Sequence, residues 1–272
     1  MLPRTLEVPG ASLYYEVRGS GPVLLMIPGG PMDAAGFAPL ADCLADRYTV
    51  VTCDCRGNSR STAEGPKDDL TVCVFADDAH RLLAAVASGP AYVLGSSGGA
   101  TYGLDLVARY PGQIRTLVAH EPPVAALLPD AAHWRAFTEE VRDLSRRDGV
   151  FPAMQKFAEG VGFGGGPEPA TEPSPEAAEA SQRLLGNLEL FAGYTIPVIT
   201  NYEPDLAALR NSPARVVVGV GSESAAGQLA YRSALALAAG LGCEPVTFPG
   251  DHGGFAAHPE TFAAKLDEVL SA

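Results

Sequence analysis

Short apolar runs recur along the chain, and each stops at glycine, proline or a polar turn: "PVLLMIPGG", "YTVVTCDCRG", "AYVLGSS", "IRTLVAHEPP", "ARVVVGVGSES" and "EPVTFPG". Apolar residues follow one another within these runs instead of alternating with polar ones, which marks strands covered on both faces. Between them lie segments with apolar residues at helical spacing: "FAPLADCLADR", "ADDAHRLLAAVA", "TYGLDLVARY", "AAGQLAYRSALALAAGLG" and the final "PETFAAKLDEVLSA". Near the start, "TLEV" and "SLYYEV" flank the turn "PGA" and read as two further strands. Strand alternating with helix predicts an α/β protein, a parallel sheet with helices on both faces and ligands bound beyond the carboxyl ends of the strands.

The rhythm breaks between about residues 129 and 200. "WRAFTEEVRDL" and "AAEASQRLLGNLELFAGY" read as helices, while "EGVGFGGGPEPATEPSPE" reads as a mobile loop rich in Gly, Pro and Glu. No strand is expected there. An insertion of this size between two sheet strands is expected to sit over the rim as a helical lid. The whole chain, residues 1–272, is expected to be one domain carrying that insertion.

Composition narrows the partners. With 47% hydrophobic residues the chain can bury one large core, and a formal net charge of −13 leaves no basic stripe for nucleic acid or anionic membranes. No apolar segment reaches the roughly 18 residues of a membrane span. The cysteines Cys43, Cys53, Cys55, Cys73 and Cys243 are odd in number and scattered, which argues against a disulfide framework and fits a reducing, cytoplasmic setting. No histidine stands at zinc-ligand spacing from Cys53 and Cys55, and no metal or organic cofactor is expected. A small-molecule substrate is the expected partner, and the sequence leaves the oligomeric state open.

The segment "AYVLGSSGGATYG" then acquires a meaning. Gly95-x-Ser97-x-Gly99 lies between a strand and a helix, the context in which G-x-S-x-G presents a nucleophile on a strained turn. Ser96 fails the spacing and is expected to pack. With "IPGGP", "DCRGNSRS", "GSSGG" and "GDHGGF" each following a strand in order, the sequence resembles the α/β-hydrolase superfamily over nearly its whole length outside the insertion.

That resemblance implies an eight-stranded, mostly parallel sheet and a nucleophile, an acid and a histidine in that chain order. Ser97 would be the nucleophile and His252, in the loop after the last strand, its base. His120 ends the sixth strand on the same rim but precedes the acid position, so it is expected to line the pocket. Backbone N–H groups of Gly98 and Gly30 would bind the oxyanion. Here the turn begins with Pro28 where the superfamily has histidine, which removes a side-chain hydrogen bond but spares the donor. "DCRGNSRS" is expected to tie strands together.

The acid departs from the family pattern. After the seventh strand "VGVGSESAAG" carries Ser224 where the family has Asp, so Glu121, after the sixth strand and ahead of His252 in chain order, is the expected acid, and Glu223 beside that slot is the alternative. The latter arrangement resembles a subset of haloalkane dehalogenases. Met32, after the "PGGP" turn, and the aromatic residues Phe191, Tyr194 and Tyr202 of the insertion are expected to join His120 in contacting substrate.

The reading that follows is a serine hydrolase acting on a small neutral ester, lactone or thioester through an acyl-enzyme. A serine nucleophile argues against dehalogenase or epoxide hydrolase chemistry, which needs a carboxylate at that position. A lyase or cofactor-free tailoring enzyme on the same rim, or a non-catalytic binding protein of this fold, are the alternatives.

Overall fold

The computed structural model describes residues 2–162 and 175–272. Strands β1 (Leu2–Val8), β2 (Ala11–Arg18), β3 (Val23–Ile27), β4 (Thr49–Cys53), β5 (Ala91–Ser96), β6 (Ile114–His120), β7 (Arg215–Gly221) and β8 (Val246–Phe248) form one sheet in the order β1-β2-β4-β3-β5-β6-β7-β8. The first two ladders are antiparallel and all the others parallel. The first strand extends beyond "TLEV" to Leu2, because its ladder with β2 runs to the Leu2–Val17 pair.

Eleven α-helices are described: α1 (Ala38–Leu44), α2 (Val72–Val86), α3 (Gly98–Arg109), α4 (Ala131–Asp148), α5 (Val150–Val161), α6 (Pro175–Leu190), α7 (Ile196–Thr200), α8 (Leu206–Asn211), α9 (Leu229–Leu241), α10 (Gly254–Ala257) and α11 (Pro259–Ser271). Side chains of a strand alternate between faces, and β3 shows the result. Leu24 and Met26 pack with Leu40 of α1 and Phe262 of α11, whereas Leu25 and Ile27 pack on the other face with Phe75 of α2, Leu104 of α3 and Leu237 of α9. Both faces are dry, which is why the strands read as unbroken apolar runs. The helix expected from Ala225 starts at Leu229, because Ala225–Gln228 form a turn closed by the Ala225 N–H on the Gln228 side chain.

Helices α4 to α7 form an insertion between β6 and β7 with a small core of its own, built on Val141, Val150, Ala153, Ala192 and Ile196. Of the stretch expected to be a mobile loop, residues 163–174 lie outside the described residues. Its first three residues, Glu159–Val161, instead close α5, with Gly160 against the ring of Phe137. Among the described residues, no helix is long and apolar enough to cross a membrane.

The core beneath the sheet also encloses an imidazole. His120, the last residue of β6, is fully buried, and neither ring nitrogen has a hydrogen-bond partner among the described residues. Its ring meets Phe248 and Phe262 edge-on at centroid distances of 5.7 and 5.4 Å. Burial pushes the imidazole down from 6.5 to about 4, the nearby His252 adds to the fall, and Glu121 and Asp251 oppose it. The unfolded chain therefore binds a proton that the folded chain refuses between these two values. The His120 contribution is without penalty above pH 6.5 and costs the native state roughly 1 kcal/mol per pH unit as the pH falls toward 4. Urea unfolding of His120→Leu should show a shallower decline over that interval than the wild type, and equal slopes would contradict the assignment.

Candidate active site

The sheet order reverses at β3. The chain steps from β3 outward to β4 and then returns to place β5 on the other side of β3, so loops leaving β3 and β5 diverge around a crevice at their carboxyl ends. Ile27 pairs with Gly95 across this point, which sets the turn after β3 against the turn after β5.

Ser97 stands on that second turn with φ 53° and ψ −119°, in a region that non-glycine residues rarely occupy. The glycines around it are needed for close approach. A Cβ on Gly99 would lie 2.0 Å from the carbonyl oxygen of Ile27, and one on Gly95 would lie 2.5 Å from that of Gly99. The strained turn is held by the Ser97 N–H, which donates to the His120 carbonyl at 2.9 Å. Ser97 is part-exposed at the floor of a cavity, whereas its neighbour Ser96 is buried.

The carboxylate that meets His252 comes from the next strand. Glu121 follows β6, fully buried and at φ 48°, its N–H bonded to the Gly219 carbonyl of β7 at 3.0 Å. Its Oε1 accepts from the Gly221 N–H at 2.9 Å, and its Oε2 lies 2.6 Å from Nδ1 of His252. Burial alone would raise the carboxyl, but the hydrogen bond and charge of His252 outweigh it and hold Glu121 at about 2, below its ordinary 4.5. An ionised carboxylate can only accept, so the Nδ1 proton points at Glu121 and the imidazole lone pair lies on Nε2. That is the tautomer able to take a proton from a hydroxyl.

Glu223, the other expected candidate, is placed differently. It is exposed, and its backbone N–H is tied to the Gly250 carbonyl at 2.9 Å. Ser224, in the slot where the family carries Asp, turns a buried hydroxyl inward.

The turn Gly29-Gly30-Pro31 packs directly on the elbow: a Cβ on Gly29 would lie 2.6 Å from the Cβ of Ser97 and 2.8 Å from the amide nitrogen of Gly98. The Gly98 N–H belongs to the first turn of α3, where helices leave donors unpaired. Gly30 and Gly98 both line the cavity above Ser97. That cavity holds 370 Å³ and is walled by the strand-end turns below and by Met154, Phe157, Leu184 and Phe191 of the insertion above. Among the described residues, no Asp, Glu, Lys or Arg lines it, and no three His, Cys, Asp or Glu side chains are grouped to hold a metal.

Met32 and Phe191 line the cavity as expected from the sequence, but three other expected pocket residues do not. His120 points into the core, because the strand's alternation turns it away from the rim that Glu121 reaches. Tyr194 is half-buried against the core, off the cavity wall, with the cations of Arg146 and Lys67 at 4.6 and 5.5 Å from its ring. Phe191–Thr195 form a π-helical turn, so residues three apart no longer share a face as they would in an α-helix. Tyr202 packs toward α3 and donates its hydroxyl to Asp105 at 2.9 Å. The sequence reading missed Met154, Phe157 and Ile199, which line the cavity, and Asn187 of α6. For Asn187 a signal existed, since it stands at helical spacing between Leu184 and Phe191, which both line the cavity, and is the polar member of that stripe.

"DCRGNSRS" ties elements together, as expected. Arg56 forms a two-pronged pair with Asp78 of α2, and Asp54 accepts from the Ala34 N–H at 2.9 Å and from Arg60.

A family model described as the alpha/beta hydrolase fold matches residues 22–154. The chain is 39% identical over 272 residues to the uncharacterised hydrolase YraK of Bacillus subtilis (strain 168), covering 98% of this chain and 95% of that protein. It is 27% identical over 282 residues to a zearalenone hydrolase of Bionectria ochroleuca, covering 97% and 96%. A crystal structure of an α/β hydrolase from Sphaerobacter thermophilus DSM 20745 superposes with a TM-score of 0.72 at 26% identity, covering 99% of this chain and 100% of that one. Kinship along nearly the full length agrees with a sheet that reverses at β3 and gathers its strand-end turns around one crevice: this chain belongs to the α/β-hydrolase fold family and is a hydrolase.

Proposed function

We propose that the chain is a serine hydrolase that cleaves a small, neutral carboxylic ester, lactone or thioester through an acyl-enzyme on Ser97. The observation that carries this reading is the 2.6 Å contact between His252 and the ionised Glu121, made by an imidazole that shares the cavity with Ser97. In the proposed cycle Nε2 of His252 takes the Ser97 proton as Oγ attacks the substrate carbonyl carbon, and the N–H groups of Gly30 and Gly98 bind the oxygen as it becomes negative. Collapse of the tetrahedral intermediate expels the alcohol or thiol, which receives the proton from His252. Water then repeats the sequence on the acyl-enzyme and releases the acid. Glu121 stabilises the imidazolium formed in each half. The insertion acts as a lid in this scheme, since its apolar side chains exclude water from the reacting carbonyl.

The lining supports the substrate class. A substrate carrying a charge would lose its hydration in this cavity without meeting a counter-ion, whereas an apolar acyl chain or ring gains from the same walls.

Two measurements test the proposal. On p-nitrophenyl esters, Ser97→Ala should abolish turnover with the fold intact, and Ser96→Ala should retain substantial activity. Glu121→Gln should lower kcat by about 10³- to 10⁴-fold, and Glu223→Gln should remain near wild type. Wild-type rates in Ser97→Ala would remove the nucleophile, and a larger loss at Glu223 than at Glu121 would move the acid.

The second measurement compares a neutral medium-chain ester with the same ester bearing a terminal carboxylate on its acyl chain. The neutral ester should be favoured in kcat/KM by about 100-fold or more. Equal values would overturn the apolar substrate class.

A further inference from the structure

The turn after β3 is held from two sides, and one of them is the insertion. Its peptides leave three successive carbonyls to satisfy. The Gly29 carbonyl accepts from the Met32 N–H at 3.1 Å, the Gly30 carbonyl from Nδ2 of Asn58 at 3.4 Å, and the Pro31 carbonyl from Nδ2 of Asn187 at 2.9 Å. Met32 and Asn58 belong to the body of the protein, but Asn187 lies on α6 of the insertion.

Asn187 is buried with its polar atoms engaged on both sides. Its Oδ1 accepts from the Ser59 N–H at 2.6 Å, and its Nδ2 also donates to the Ser59 hydroxyl at 2.9 Å. The Pro31 carbonyl can only accept and the Ser59 N–H can only donate, so the amide has one orientation that serves both. Ser59 passes the connection on to Asp33 at 3.0 Å, and Arg183, one helical turn before Asn187, reaches the same carboxylate at 3.3 Å. Phe191 of the same stripe covers Gly30, since a Cβ there would lie 3.5 Å from its ring.

The consequence follows from peptide planarity. The Gly30 N–H lies in one peptide with the Gly29 carbonyl, which the Met32 N–H holds, and the Met32 N–H lies in one peptide with the Pro31 carbonyl that Asn187 grips, so planarity relays that grip through two peptides to the aim of the Gly30 N–H. Gly30 is at φ +54°, a conformation that glycine reaches without penalty but also leaves easily. Its orientation therefore depends on what grips its neighbours.

We infer that Asn187 is a positioning residue: it carries the seating of the insertion helix into the aim of the Gly30 N–H, so that the oxyanion site is complete only when α6 is docked. This rests on the serine-hydrolase reading above. Removing the grip weakens a donor that acts on the transition state and leaves the apolar walls that bind the ground state in place.

The test uses the full-length protein with Asn187→Ala and with Asn187→Asp, which keeps the shape and the acceptor for Ser59 but cannot donate to Pro31. On a neutral p-nitrophenyl ester, both should lower kcat by about 10- to 100-fold with KM within about threefold. The affinity for a trifluoromethyl ketone, whose adduct places an alkoxide in the oxyanion site, should fall by the same factor as kcat/KM, and the shape of the pH profile should not change. A rise in KM at constant kcat would make Asn187 part of the binding wall and overturn the inference. Loss of the folded state in Asn187→Asp would make it a structural residue and overturn it equally. Wild type that fails to form a Ser97 adduct with a fluorophosphonate would defeat the serine-hydrolase reading itself. Wild type that does form the adduct, with both variants at wild-type kcat, would defeat the Asn187 assignment alone.

Discussion

The structure depends on a close backbone crossing. Where the sheet order reverses, the turn after β3 and the turn after β5 are pressed together until the carbonyl of Ile27 occupies the space a Gly99 side chain would need. That contact forces Ser97 into its strained conformation and sets Gly29 against it, so one steric arrangement supplies both the presented hydroxyl and the adjacent N–H groups. Strain of this kind costs on the order of 1–3 kcal/mol and persists only where the surroundings over-determine it. Here they do, through dry helical layers on both faces of the sheet and the bond from Ser97 to the His120 carbonyl.

A second constraint is the burial of Glu121. A carboxylate without exposure would be costly, and two groups compensate it, the Gly221 N–H and the His252 imidazole, while the Gly219 carbonyl of β7 pins the Glu121 backbone in place. Strands β6 and β7 are neighbours in register, His120 opposite Gly219, so a carboxylate leaving the end of either one arrives at the same imidazole. Ser224 occupies the position after β7, and the carboxylate that reaches His252 leaves β6 instead. The arrangement also leaves His120 on the opposite side of its strand, a neutral imidazole enclosed by phenylalanines.

The insertion closes the site in two different ways. Its apolar stripe makes the upper wall of the cavity, and its polar residues Arg183 and Asn187 reach past that wall to the loops carrying Asp33, Ser59 and Pro31. "DCRGNSRS" thereby joins more than strands, since Ser59 connects the insertion to the turn after β3.

What the sequence determined alone was whatever local chemistry and chain order can encode. Unbroken apolar runs between helices specify buried parallel strands, and Gly95-x-Ser97-x-Gly99 specifies a turn too tight for larger residues, so the sheet, the elbow and the loop bearing His252 were legible without coordinates. Glu121 could be preferred over Glu223 on chain order alone, but both follow strands on the same rim, and only pairing across β6, β7 and the His252 loop shows that the carboxylate buried against the imidazole is that of Glu121. The pocket was legible in part. Periodicity can assign an inward stripe to a helix, as with Phe191, but it fails where a π-helical turn rotates Tyr194 away or where strand alternation sends His120 into the core. Asn187 lay further out of reach, since its partners Ser59 and Pro31 are 128 and 156 residues away in the chain. A hydrogen bond across that distance is decided by how the insertion docks, a property of the packed tertiary structure that no local pattern records.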